Sequence, residues 1–162
     1  MFKEYSKAYA NYYNKLKIVP VPLICWDFFS NSNQDIQQVT TIQKQWKNKI
    51  DFHKIVAISK REIIITDESF QIVFATVGLF QMNGYQPFEV IGKTPKIFQG
   101  ELTSKTVKQK IKESISQNLP FKETLLNYKK DGSTYLCEIE AYPKFNRKGE
   151  LVNYVAFERI AS

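Results

Sequence analysis

The sequence predicts an α+β domain in which short helices gather on one face of a five-stranded antiparallel sheet. The first observation is the order of elements: two short β-rich runs, several short helical pieces, one longer helix and then three further β-rich runs. The second is a pair of glycine-containing turns that separate the last three runs, as in an antiparallel meander. Helices that cover one face of a sheet leave room for a pocket between the two layers.

The composition is typical of a folded protein with one main domain. Of the 162 residues, 43% are hydrophobic and 14% aromatic, and six glycines and six prolines argue against disorder and repeats. The lysines behind the net charge of +7 are scattered, so no nucleic-acid site is predicted. No apolar run reaches the roughly 18 residues that a membrane span needs, and a cytoplasmic location is expected.

Residues 1–55 are predicted to form a helical extension ahead of a domain at residues 56–162. Two apolar stripes at helical spacing support this division. The first stripe contains Phe2, Tyr5, Tyr9, Tyr12, Tyr13 and Leu16, and the second contains Ile36, Val39, Ile42, Trp46 and Ile50. Asn33 or Asp35 is suited to cap the second helix. The tyrosine-rich stripe is expected to pack on the body of the protein, on a second copy in a homodimer, or on a signalling partner.

The first half of the domain is predicted to combine a hairpin with short helices. β-Branched runs predict strands at residues 62–66 and 71–76. Short helical pieces are predicted at residues 78–82 and 87–91, where Pro87 suits a first helical position.

One longer helix and a three-stranded meander are predicted to complete the domain. Ser104 is suited to cap a helix over residues 105–117. The three strands are predicted at residues 121–128, 135–145 and 151–160, and glycine in each connecting turn supplies a positive φ.

Residues 92–100 are the stretch that most suggests a site. Two glycines bracket a proline, two lysines and a glutamine, and Pro95 biases Thr94 away from the helical region. The segment is therefore predicted to be a tight, partly helical turn that directs a few side chains at a ligand.

The order of these elements, together with residues 72–76, 84–85 and 89–93 and the hairpin turn at Asp131-Gly132, resembles that of a PAS domain over about residues 56–161. Within that superfamily the sequence is similar to the light-oxygen-voltage (LOV) flavin photoreceptors. Their motif Gly-Arg-Asn-Cys-Arg-Phe-Leu-Gln-Gly corresponds to residues 92–100, and their Leu-Leu-Asn-Tyr-x-Lys-Asp-Gly corresponds to residues 125–132. The resemblance implies the PAS fold, a ligand pocket and a sensory or signalling role.

The resemblance also implies a flavin pocket whose reactive sulfur has been replaced. The cysteine that forms the light-driven adduct in the family falls on Pro95, so no cysteinyl-flavin adduct is expected here. The asparagine beside it falls on Thr94. The two arginines that bind the flavin phosphate fall on Lys96 and Lys112, which keep the charge but lose the bidentate fork.

Contacts to the flavin ring and its ribityl chain carry over unevenly. Gln99, which contacts the ribityl chain in the family, and Asn127, which contacts the pyrimidine edge, are both retained. The strand partner of that asparagine falls on Cys137, a weaker donor. The glutamine that senses flavin protonation falls on Glu158, whose buried charge needs a partner or a raised pKa. Gln99 and Asn127 also have structural interpretations, as a turn-stabilising group and a partner for buried backbone.

Two functions follow from the resemblance. The favoured one is a PAS-type sensory, signalling or protein-interaction domain, because four polar contacts have changed type. The alternative is a flavin-binding photoreceptor or redox sensor that works by photoreduction without an adduct. Flavin mononucleotide (FMN) is thus a possible ligand and not an assigned cofactor. Signal is expected to pass from the pocket through the strand at residues 151–160 to the N-terminal helices or a partner.

Neither an enzyme nor a metal site is expected. The sequence has no phosphate-binding glycine loop, nucleophile elbow or paired-carboxylate motif. The single histidine, His53, has no partner at the spacing of a metal site or a catalytic triad. Cys25 and Cys137 are far apart and are expected to be reduced thiols.

Overall fold

Five antiparallel strands form one sheet in the computed structural model, which describes residues 34–52, 54–55 and 61–161. The strands are β1 (Glu62–Thr66), β2 (Ile72–Ala75), β3 (Phe121–Tyr128), β4 (Thr134–Phe145) and β5 (Leu151–Ile160). Their order across the sheet is β2-β1-β5-β4-β3, and every neighbouring pair is antiparallel. The predicted α+β class and the five-stranded sheet are therefore confirmed.

The described helices are short except for one. They are α1 (residues 34–42), α2 (Leu79–Asn83), α3 (Pro87–Val90) and α4 (Lys105–Ser116), with 3-10 turns at Gln43–Gln45 and Pro95–Phe98 and further helical residues at positions 52, 54 and 55. The Oγ of Ser104 accepts a hydrogen bond from the N–H of Val107 at 3.3 Å, so the predicted cap of α4 is confirmed. Pro95 begins its 3-10 turn, as expected of a residue that lacks the N–H.

The sheet separates two hydrophobic clusters because side chains alternate along each strand. The inner cluster lies between the sheet and α2, α3 and α4, and it contains Ile64, Ile72, Leu79, Phe98, Leu125 and Cys137. The outer cluster packs residues 34–52 against the opposite face, and it contains Val39, Trp46, Phe52, Ile63, Ile65, Phe74 and Val155. Both faces of β1 and β5 are consequently covered by protein.

Residues 34–52 are joined to the sheet by hydrogen bonds as well as by packing. The indole Nε1–H of Trp46 donates to Oδ1 of Asn153 at 2.7 Å, and the Nδ2 of the same asparagine donates to the carbonyl of Thr66 at 2.9 Å. The backbone N–H of Lys47 donates to the carbonyl of Phe145 at 2.8 Å. One asparagine on β5 therefore links the N-terminal segment with two strands.

The second predicted helix is shorter than its apolar stripe suggested. The expectation placed Trp46 and Ile50 on a helical face, but α1 ends at residue 42 and Trp46 has an extended ψ of 138°. The stripe still packs together, because Trp46 turns out of the helix to reach Asn153. Asp35 lies within α1 and accepts a hydrogen bond from Val77, so its suggested role as the cap of this helix is wrong.

Several predictions about the N-terminal part lie outside the described residues. They concern the tyrosine-rich stripe, Asn33, Cys25 and His53. The boundary between residues 55 and 56 also stays a prediction. Within the described part of the chain, no helix is long and apolar enough to cross a bilayer.

Candidate functional site

A cavity of about 620 Å³ lies between the inner face of the sheet, α4 and the 3-10 turn at Pro95–Phe98. Most of its wall is apolar, and the apolar residues include Ile64, Phe98, Ile111, Ile115, Leu125, Ile139, Ala141 and Ala156. Its volume is within the range of about 300–1,000 Å³ found for small-molecule sites. A cavity of this size and lining can enclose a planar organic ligand.

Among the described residues of the cavity wall, two buried polar atoms lack a hydrogen-bond partner. Asn127 on β3 is 2% exposed and its Oδ1 is unpaired, while Thr66 at the end of β1 is 5% exposed and its Oγ1 is unpaired. Both residues line the cavity. An unpaired buried polar atom costs about 1–3 kcal/mol, so a ligand that hydrogen-bonds to these atoms would recover free energy.

Glu158 on β5 is a buried carboxyl group in the same wall. The Sγ of Cys137 donates a hydrogen bond to its Oε2 at 3.7 Å, and burial raises the pKa of Glu158 to about 7. The side chain therefore exchanges its proton close to neutral pH. Burial, and then the charge of Glu158, raise the pKa of Cys137, which stays a thiol.

Four lysines also line the cavity, and they come from the 3-10 turn and from α4. They are Lys96, Lys105, Lys108 and Lys112. Glu158 is the single carboxylate among the described lining residues, so the lysines are not neutralised within the cavity wall. Lysines clustered at one site favour an anionic group such as a phosphate.

Six of the seven predicted ligand residues line this one cavity, and they are Thr94, Lys96, Gln99, Lys112, Asn127 and Glu158. Pro95 lies in the wall beside them. Cys137 does not, because it points into the inner cluster directly behind Glu158. The sequence motifs therefore converge on one place, although their contacts with a ligand stay a prediction.

Sequence reasoning missed several lining residues. Thr66 was detectable, since it shares the inward face of β1 with Ile64. Lys105 and Lys108 were also detectable from their helical spacing. Phe70 was not, because its φ of 62° in the β1–β2 turn places its ring 5.3 Å from that of Tyr154 at the cavity wall.

Comparison with known proteins identifies related domains. A profile of the PAS domain family matches residues 61–159. Protein TWIN LOV 1 of Arabidopsis thaliana is 38% identical over 88 residues, which are 54% of this chain and 22% of that protein. Nitrogen fixation regulatory protein of Klebsiella oxytoca is 27% identical over 108 residues, which are 67% of this chain and 22% of that protein. The chain thus spans about a fifth of the length of these relatives.

Solved structures of light-oxygen-voltage domains have the same fold. The dark structure of the blue-light photoreceptor Aureochrome1 LOV gives a TM-score of 0.64 at 27% identity, over 72% of this chain and 86% of that chain. The light-state structure of that photoreceptor gives a TM-score of 0.61 at 28% identity, over 69% of this chain and 90% of that chain.

Proposed function

We propose that this chain, which belongs to the PAS domain family, is a sensory domain of the light-oxygen-voltage type that binds a small planar ligand in its cavity without a cysteinyl adduct. The observation that carries this proposal is the pair of unpaired polar atoms, Thr66 Oγ1 and Asn127 Oδ1, in the wall of the 620 Å³ cavity. Buried polar atoms in folded proteins are nearly always hydrogen-bonded. Two unpaired atoms on one cavity wall therefore support the proposal that a ligand forms hydrogen bonds with them.

FMN is the ligand that best fits these residues. Asn127 and Thr66 would pair with the polar edge of its ring, and Gln99 with its ribityl chain. Lys96 and Lys112 would hold the phosphate, each through a single charged donor. A bound flavin would supply absorption of blue light and the capacity to accept electrons. The apolar wall would exclude water from the bound ring, and Glu158 in the same wall would hold or release a proton.

The absence of an adduct is supported by the side chains around the cavity. Pro95 stands where the light-oxygen-voltage motif has its cysteine, and none of the described lining residues is a cysteine. Cys137 is turned into the core with a raised pKa, which keeps it from acting as a thiolate. Any light response would therefore proceed by electron and proton transfer without a carbon–sulfur bond.

A second candidate function is that of an interaction domain that signals without flavin. Its support is the covered outer face of the sheet, where Trp46 is hydrogen-bonded to Asn153 on the strand that also carries Glu158. In this proposal β5 transmits a change in the cavity to the N-terminal segment and from there to a second copy or a signalling partner.

An FMN titration of the purified full chain tests the proposal. We expect quenching of flavin fluorescence and a structured blue absorption band in the bound state. Asn127→Leu removes the unpaired Oδ1, so we expect binding at least about tenfold weaker. Loss of that atom favours the unliganded protein by about 1 kcal/mol, against the lost hydrogen bond between the same amide and Tyr135. Gln81→Leu, an amide-to-leucine change on an exposed position of α2, serves as the control.

A colourless protein that leaves FMN fluorescence unchanged would remove flavin as the ligand. Unchanged FMN affinity in the Asn127→Leu variant would instead show that the flavin lies elsewhere. If FMN does not bind but Asn127→Leu is more stable than the wild type, we infer that the unpaired Oδ1 of Asn127 binds a different small ligand.

A further inference from the structure

A row of three acidic side chains leads from the cavity to α1. Glu158 lines the cavity on β5, and Glu62 stands directly opposite it on the neighbouring strand β1. Directly opposed residues of antiparallel strands have their side chains on the same face, about 4.5–5.5 Å apart at Cβ. Asp35 in α1 is the third member, and the charge of Glu62 acts on both of the others.

Glu62 and Asp35 meet at the segment that leads into α2. The hydroxyl of Thr76 donates to Oε2 of Glu62, and the N–H of Val77 donates to Oδ2 of Asp35 at 3.2 Å. Gly78 comes so close that a Cβ at this position would overlap the carboxyl group of Glu62. Two carboxyl groups from distant parts of the chain therefore contact three consecutive residues.

This arrangement cannot hold three full negative charges near neutral pH. Like charges directly opposite each other in a sheet are destabilising, and burial adds a cost to every charge. Burial raises the pKa of Asp35 to about 6, against a hydrogen bond from Val77 that lowers it, and the charge of Glu62 raises it further. Burial also raises the pKa of Glu62.

No described cation pairs with the row to offset its charge. Arg159, next to Glu158, is bonded to Glu138 at 2.6 Å, and Arg61, next to Glu62, is bonded to Glu140 at 2.7 Å. The other titratable groups that interact with Glu158 are the Cys137 thiol and the Tyr135 phenol, and the four lysines that line the same cavity form no ion pair with it. The thiol and the phenol are neutral at this pH, since burial raises the pKa of each.

We propose that Glu158, Glu62 and Asp35 act as one coupled proton-binding unit, through which the protonation state of the cavity reaches α1. A ligand that fills the cavity keeps solvent away from the cavity side of Glu158 and favours its protonated form. Glu62 then loses a charged neighbour and ionises more readily, and its charge favours the protonated form of Asp35. A protonated Asp35 is a weaker acceptor for the Val77 N–H, so the contact between α1 and the start of α2 loosens. The ligand step rests on the proposed function, whereas the coupling belongs to the unliganded chain.

Carbon-13 NMR titration of the side-chain carboxyl groups in the unliganded full chain tests the coupling. In Glu62→Gln we expect the pKa values of Asp35 and Glu158 to fall by about one unit each, because the charge between them is gone. The control is Glu101→Gln, an exposed position away from the row, which should shift neither value. The titration of the wild-type chain, which requires no variant to fold, should give curves for Asp35 and Glu158 broader than that of a single site.

Hydrogen exchange at pH 7.5 tests transmission to α1. Glu158→Gln mimics the permanently protonated state, and we expect amide exchange in residues 34–42 to accelerate about threefold while β3 is unchanged. The acceleration should disappear in the Glu158→Gln/Glu62→Gln double variant. Unshifted pKa values in Glu62→Gln, or acceleration that persists in the double variant, would overturn the proposal. A failure to bind FMN would leave these results unaffected, so the two proposals are tested separately.

Discussion

Glu158 is the one carboxyl group among the described residues that line the cavity, and its environment has a direct consequence for stability. Burial raises its pKa from 4.5 to about 7 in the folded chain, whereas the unfolded chain titrates near 4.5. Below pH 4.5 both states are protonated and the group makes no difference. As the pH rises from 4.5 to 7, the unfolded state ionises first, so the free energy of unfolding falls.

Glu158→Gln is therefore expected to be more stable than the wild type at pH 8 and nearly equal to it at pH 4.5. The shift from 4.5 to about 7 corresponds to a difference of roughly 3 kcal/mol at pH 8. Urea unfolding at both pH values measures it, with Glu101→Gln as the control. Asp35, whose pKa is also raised, leaves part of the pH dependence in the variant. A wild type that gains stability between pH 5 and 8 relative to the variant would contradict the assignment.

At the scale of single residues, the sequence predicted which residues line the site better than it predicted their contacts. Gln99 and Asn127 were identified from two motifs that resemble those of the light-oxygen-voltage family, and Glu158 was identified from the same resemblance. The unpaired Oγ1 of Thr66 was beyond reach, because a missing partner depends on every neighbouring element. The opposition of Glu62 and Glu158 depends on the pairing register of two strands nearly a hundred positions apart in the chain.

At the scale of elements, the strands and the presence of α1 were predictable from the sequence, but the end of α1 was not. Strands β3 and β5 have the predicted bounds and β4 begins one residue earlier, because β-branched runs and glycine turns are local signals. The end of α1 is set by a distant contact. Trp46 turns out of the helix, and its indole N–H donates a hydrogen bond to Asn153. The sequence near Trp46 does not indicate this contact, because its partner lies more than a hundred residues away.

The hydrogen bond between Trp46 and Asn153 is expected to contribute strongly to the packing of residues 34–52 against the sheet. Asn153→Ala removes the acceptor for the Trp46 indole N–H and for Gln45 Nε2, and the donor to the carbonyl of Thr66, so we expect a loss of roughly 2–4 kcal/mol of unfolding free energy. Trp46→Phe removes the donor but keeps most of the apolar contact. In a double-mutant cycle of the two changes, urea unfolding should give a coupling of about 1 kcal/mol or more. Additive losses would mean that packing alone holds this segment.

At the scale of the whole molecule, residues 34–52 are an integral layer of the domain. Their structural role is therefore distinct from the contact role expected of residues 1–33. Val39, Trp46 and Phe52 cover the outer face of the sheet, and each is at most 5% exposed. Residues 1–33 carry the tyrosine-rich stripe, which is expected to pack on the body of the protein, on a second copy or on a signalling partner. The two roles can be tested by cutting the chain at two different places.

A chain that starts at residue 34 is expected to keep the fold and the stability of the sheet, and to sediment as a monomer if the stripe joins two copies. A chain that starts at residue 56 uncovers the outer cluster. Burial of three large side chains is worth roughly 5 kcal/mol or more, which is comparable with the whole stability of many domains. We therefore expect the shorter chain to aggregate or unfold, as circular dichroism and sedimentation velocity would reveal. An unchanged dimer mass for residues 34–162 would exclude the stripe as the subunit contact, and a stable, folded chain of residues 56–162 would contradict the layer assigned to residues 34–52.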